Sequence, residues 1–249
     1  MKISATLETP AVIAGRVSLF DSFEEGLAGL RSELERARGP YILSFINAHG
    51  FNLCHTDPVF LQSLLRSDMI LRDGAGMSLL YKAMGQAPAQ NFCGTDFIPY
   101  VLEHLAGKRV ALLGTQAPYL ERAAAVLAKR GVDVVHLEHG FLEAGEYVAQ
   151  LRSVRPDVVV LGMGNPKQEK VAAILKEQLD FPCLLISGGA IIDYLGEKVS
   201  RAPLWMRRAG LEWVYRLRLE PRRMFRRYII GNVLFLLRVA ELRFRWARG

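Results

Sequence analysis

The chain has 249 residues, 51% of them hydrophobic, with 32 Lys and Arg against 25 Asp and Glu and a formal net charge of +7. That composition excludes a disordered or collagen-like chain and supplies apolar side chains for one large core or two small ones. The three cysteines, Cys54, Cys93 and Cys183, lie too far apart for a CxxC metal site or a local disulfide framework, and they suit a reducing compartment.

In chain order, short runs rich in Val, Ile and Leu alternate with helical stretches. Strands are predicted at 41–47, 69–72, 109–114, 133–136, 157–162 and 183–187, and helices at 58–67, 97–106, 117–129, 144–154 and 168–177. Most strand runs are apolar almost throughout, as strands covered on both faces of a parallel sheet must be. The fold class predicted is α/β: a Rossmann-like, mostly parallel sheet with helices on both faces.

After Arg201-Ala202-Pro203 the alternation stops and the chain reads as helical, aromatic and arginine-rich. Residues 201–249 hold 13 arginines and no lysine against Glu212, Glu220 and Glu241, a net +10, which leaves −3 for residues 1–200. The organisation expected is an α/β core over 1–200 and a basic helical appendage over 201–249. From Tyr228 onward, Ile230, Val233, Leu234, Leu237 and Ala240 trace a helical apolar stripe. Such a tail suits a polyanion or an anionic membrane surface. The apolar run 229–237 is broken by Gly231 and Asn232 and falls short of the roughly 20 residues a spanning helix needs, so it is expected to lie on a bilayer. The run at 11–14 is too short for a secretion signal.

Ligands of open parallel sheets bind beyond the carboxyl ends of the strands. Asn47 ends the first strand and can read a sugar or base edge, or cap a helix. The histidines are scattered, so His49 has no partner at metal spacing. Asp73 leaves an apolar strand into Asp73-Gly74-Ala75-Gly76, where a carboxylate can deprotonate a hydroxyl or cap the next helix. Gly162-Met163-Gly164-Asn165-Pro166-Lys167-Gln168 starts like a dinucleotide fingerprint but has Lys167 where the third glycine belongs, which favours a nucleotide diphosphate over NAD. Ser187-Gly188-Gly189 allows close backbone approach to a ligand, with Asp193 following. The stretch 212–227 mixes arginines with aromatics and carries no nucleic-acid module signature, which favours lipid or phosphate.

These segments, with Gly94-Thr95-Asp96, Pro166-Lys167-Gln168-Glu169, Arg201-Ala202-Pro203 and Gly210-Leu211-Glu212-Trp213, resemble the WecG/TagA/CpsF family of bacterial glycosyltransferases across about residues 40–227. The resemblance implies an inverting, metal-independent transferase without a cofactor. It would move a sugar from a UDP-sugar to a polyprenyl-diphosphate-linked saccharide, working peripherally on the cytoplasmic face of the inner membrane. It implies Asp73 as general base and Asn47, Thr95, Asp96 and Gln168 as pocket residues, alongside His49, Gly74, Gly164, Lys167, Gly188, Gly189 and Asp193. Arg216, Arg223 and Arg226 match arginines that reach the acceptor diphosphate. Many members have Thr where this chain has Phe45. With Ala48 and His49 this looks like the xanthan-type exopolysaccharide β-1,4-glucosyltransferase branch and makes glucose the first expected donor sugar. An N-acetylmannosamine or N-acetylmannosaminuronic acid transferase of the same family is the alternative, and a non-catalytic nucleotide-sugar-binding membrane scaffold is an alternative of another class. No nucleic-acid partner is expected, and the family allows a homo-oligomer.

Overall fold

A computed structural model describes residues 9–105 and 107–246. Residue 106, the end of the helix expected at 97–106, and residues 247–249 of the tail lie outside them, as do the side chains of Arg245 and Trp246.

The chain begins with α1 (Thr9–Arg16), β1 (Val17–Ser18), α2 (Phe23–Arg36), β2 (Tyr41–Ile46), α3 (Ala48–Thr56), α4 (Pro58–Leu65), β3 (Met69–Arg72), α5 (Gly74–Ala83) and α6 (Gly94–His104). It continues through β4 (Arg109–Gly114), α7 (Tyr119–Ala128), β5 (Asp133–Glu138), α8 (Ala144–Val154), β6 (Val158–Gly162), α9 (Lys167–Gln178), β7 (Leu184–Ser187) and α10 (Ile191–Leu195). The seven strands form one parallel sheet in the order β1-β3-β2-β7-β6-β4-β5. The α/β class read from the sequence is the observed one. All six predicted strands are present, and the two-residue β1 pairs with β3 at the edge.

Period-two alternation along the strands explains both covered faces. Leu43, Leu112, Val160 and Ile186 point to one side and pack with Leu27, Leu30, Phe97, Val101 and Leu127 of α2, α6 and α7. Their neighbours Ile42, Ala111, Leu113, Val159 and Leu185 point to the other side, onto Tyr147, Leu151, Val171 and Leu175 of α8 and α9. Each such aliphatic side chain, once buried, contributes about 1.5–3 kcal/mol of transfer free energy. With apolar residues at nearly every position, these strands can face helices on both sides.

The tail forms α11 (Leu204–Arg208), α12 (Glu212–Leu219), α13 (Pro221–Met224), a π-helical turn over Phe225–Ile230 and α14 (Gly231–Trp246). The residues that dock α14 are not those of the expected stripe. Phe235 and Val239 are buried with Ile46, Phe51 and Met77, and Phe51 meets the Phe235 ring edge-on at 5.5 Å. Asn52 of α3 donates to the Gly231 carbonyl at 2.7 Å and accepts from Arg238 at 2.5 Å. Ile230, Val233, Leu234, Leu237 and Ala240 stay exposed. Among the described residues, no helix is long and apolar enough to cross a membrane.

Candidate active site

Beyond the carboxyl ends of β3, β2, β7 and β6, four neighbours in the sheet, lies a cavity of about 530 Å³. Asn47, His49, Asp73, Gly74, Thr95, Asp96, Gly164, Gln168, Gly188, Gly189, Asp193, Arg216 and Arg223 all line it. Lys167 and Arg226 do not. The Lys167 amine donates to the Leu142 carbonyl at 3.3 Å, and Arg226 is exposed on the outside of the π turn. Phe45 lines the cavity with its ring edge toward Phe97, so the family's Thr position does face the ligand space.

Asp73 sits at the junction of β3 and α5, and its carboxylate makes no capping bond to that helix. The Gly74 amide instead donates to Asn91 Oδ1 at 2.7 Å. Just before Asn91, the Pro88 and Ala89 carbonyls accept from the buried guanidinium of Arg72. The capping explanation therefore fails for Asp73, which lines the cavity together with Asn47 and Cys93. Removal from water, reinforced by the charge of Glu212, pushes this carboxyl up to about 6, against the pull of Asn47, Arg227 and Cys93. Of the two roles open to Asn47, the structure shows the helix cap. Its Oδ1 caps α3 by accepting from the Gly50 amide at 3.0 Å, and the residue lines the cavity alongside Asp73.

Gln168 is buried and fully engaged. Its Oε1 accepts from the Gly164 amide at 3.1 Å and the Gly189 amide at 2.8 Å, and its Nε2 donates to Glu169 Oε1 at 2.9 Å. It thus ties together the glycine turns after β6 and β7, both of which need the left-handed backbone that Gly164 (φ +76°) and Gly189 (φ +62°) adopt. Behind it, burial pushes Glu169 up to about 7, and its Oε2 has no hydrogen-bond partner among the described residues. Gln168 positions the backbone that a ligand would meet.

The tail closes the cavity with Glu212, Trp213, Arg216, Arg223, Arg227 and Tyr228. Asp96 anchors this cover at its start, taking Arg201 in a two-bond pair at 2.6 and 3.0 Å and Arg207 at 3.2 Å. Burial alone would raise Asp96, but the bond and charge of Arg201, with Arg207, hold it below the usual carboxylate value. Arg216 lies over the Tyr194 ring at 6.0 Å, Asp193 pairs with Lys198 at 3.2 Å, and Arg223 pairs with Glu220 at 2.6 Å. Arg227, which belongs to the 212–227 stretch but was not expected at the site by number, has a buried Nε with no hydrogen-bond partner among the described residues. Burial, with the like charges of Arg216 and Arg223, lowers its pKa, a strain that an incoming anion would relieve. Desolvation and then Arg227 push the cavity-lining His49 down to about 4, which keeps its imidazole neutral at pH 7. Thr95 is joined to the Cys93 thiol at 3.0 Å. Among the described residues, no three His, Cys, Asp or Glu side chains converge as a metal-holding group.

A family model described as "Glycosyl transferase WecG/TagA/CpsF family" matches residues 14–249. Similar proteins include the N-acetylglucosaminyldiphosphoundecaprenol N-acetyl-beta-D-mannosaminyltransferases of Staphylococcus aureus strains COL and MRSA252. Each is 26% identical over 203 residues, covering 79% of this chain and 79% of the relative. The names of these relatives specify an N-acetylmannosaminyl group, so the glucosyltransferase branch expected from Phe45, Ala48 and His49 gains no support from them. The non-catalytic scaffold gains none either.

Proposed function

The chain belongs to the WecG/TagA/CpsF family of glycosyltransferases, and from that premise we propose that it transfers an N-acetylmannosaminyl group from a UDP-sugar to N-acetylglucosamine carried on a polyprenyl diphosphate. The observation that carries this reading is the uncapped Asp73 carboxylate facing a cavity that the tail covers with Arg216, Arg223 and Arg227. The relatives' names supply the sugar and the acceptor.

In the proposed reaction, Asp73 takes the proton of the acceptor hydroxyl as that oxygen attacks the anomeric carbon. The carbon–oxygen bond to UDP breaks on the opposite face, inverting the centre, and its electron pair leaves on the diphosphate. Negative charge grows on that diphosphate in the transition state, where arginines and preorganised backbone amides stabilise it best. The amides of the Gly164 and Gly189 turns are already taken by Gln168, so the cationic contribution falls to the tail arginines. No divalent metal is required by this scheme.

Residues 201–249 act in this reading as a membrane-binding appendage to the 1–200 core. Their net +10 and the exposed Val233, Leu234 and Leu237 support peripheral attachment to an anionic surface at the cytoplasmic membrane face, where the acceptor is presented. The test is a panel of UDP-sugars offered with a lipid diphosphate N-acetylglucosamine acceptor. Product with UDP-N-acetylmannosamine alone supports the reading, and product with UDP-glucose in its place would overturn the donor assignment.

A further inference from the structure

The cavity that holds Asp73 is not polar all round. On the side covered by α14 it is lined by Ala48, Gly76 and Leu79 from the body and by Asn232, Phe235 and Leu236 from the tail, apolar but for Asn232. Phe235 is 2% exposed, whereas Leu79 is 43% and Leu236 49% exposed, so the same wall has a buried inner end and an open outer end. A Cβ built on Gly76 would come within 2.9 Å of Ala48 Cβ and 3.4 Å of the Phe235 ring, so glycine is what lets α3, α5 and α14 meet this closely at the inner end. Next to Leu236 on the surface stand Val233 at 56% and Leu237 at 63% exposure. The apolar strip thus continues out of the cavity onto the face proposed above to meet the bilayer.

Another part of the cavity lining is cationic. Arg216, Arg223 and Arg227 line it, and the Arg227 Nε is buried without a hydrogen-bond partner among the described residues. The lining therefore offers cations that suit a diphosphate, and a strip of hydrocarbon runs from the cavity to the surface. The chemistry that satisfies both at once is a diphosphate esterified to an apolar chain. We propose that the strip formed by Leu79, Phe235 and Leu236 is a binding track for the first isoprene units of the acceptor, leading the lipid from the arginines to the membrane. This rests on the lipid-linked acceptor of the proposed function and adds where its chain runs.

The experiment compares two acceptors bearing the same N-acetylglucosamine diphosphate, one on a farnesyl chain in detergent and one on a methyl group in water. The quantity read is the ratio of kcat/KM values. Wild type should prefer the farnesyl acceptor by at least about ten-fold, which is about 1.4 kcal/mol and corresponds to burying roughly two methylene groups. In the double variant Leu79→Gln, Leu236→Gln the ratio should fall to within about three-fold. Both side chains are substantially exposed, so the variant folds, and a thermal melt checks it. Val59→Gln, at a position 60% exposed and outside the cavity lining, is the control and should keep the wild-type ratio. A double variant that keeps the wild-type ratio overturns the track, including the case where both acceptors lose rate equally because the strip is covered by a second copy of the chain. A wild type that prefers the methyl acceptor also overturns it. A wild type that transfers to neither acceptor overturns the proposed function itself, a different outcome from either of these.

Discussion

The first 200 residues and the last 49 solve opposite problems. The body carries −3 and buries its apolar side chains on both faces of a parallel sheet, whereas the tail carries +10 and leaves Val233, Leu236 and Leu237 in the open. Yet neither holds the site alone. The body supplies Asp73, Asn47 and the glycine turns, and the tail supplies the charges around them, with Glu212 raising Asp73 and Arg227 lowering it. The lesson of the contrast is a division of labour in which the carboxyl end of the sheet fixes and buries the proposed base and a less buried helical cover adds opposing charges to it.

The sharpest way to break this division is to remove the body's part. Asp73→Asn should lower turnover by about 10²–10⁴, the usual worth of general-base catalysis, in a steady-state assay with saturating donor. A loss below ten-fold would move the base elsewhere. Next comes the tail. Arg227→Ala should cut kcat/KM on the lipid-linked acceptor by roughly 10–100-fold, the loss expected for a charge-assisted contact of about 1.5–3 kcal/mol. Arg226→Ala should lose less, because Arg226 points outward. Equal losses would return the assignment to Arg226.

A smaller effect tests whether Gln168 and Glu169 act only through the backbone. Glu169→Met removes the acceptor that orients the Gln168 amide, and should raise the donor KM by about ten-fold, the penalty of one misdirected buried hydrogen bond. Glu169→Gln keeps an acceptor oxygen and should restore most of that KM. The same substitution bears on stability. Because burial raises Glu169 in the folded state, its contribution is fully present below the unfolded value and is lost as pH rises through about 7. Glu169→Gln should therefore raise Tm more at pH 8 than at pH 5, by a few degrees, since about 1 kcal/mol moves Tm roughly 2–4 °C at this chain length.

Much of this was legible in the residues. Strands β2 to β7 announce themselves because a doubly covered strand has little room for polar side chains, and the loops at 73–76, 162–168 and 187–189 follow from where such strands end. Three features were hidden for physical reasons. The two residues of β1 carry no periodicity at all. Arg227 lines the cavity and Arg226 does not, and both lie in a π turn over Phe225–Ile230 that residue types alone do not reveal. The stripe at 230, 233, 234 and 237 was legible as apolar, but periodicity does not say whether the partner of an apolar face is protein or lipid, and here Phe235 and Val239 take the protein side. Gln168 was legible as a site residue but not as one whose amide is spent on Gly164, Gly189 and Glu169.

The central claim, a buried body carboxylate whose charge the tail adjusts, is tested most directly by the pH dependence of kcat/KM in wild type and Glu212→Gln. Asp73 must be ionised to act as base, so the wild-type rate should rise through a limb near pH 6 and level off above it. Removing the Glu212 charge should shift that limb to lower pH. A profile flat from pH 5 to 8, or a limb that stays in place in Glu212→Gln, would contradict the account.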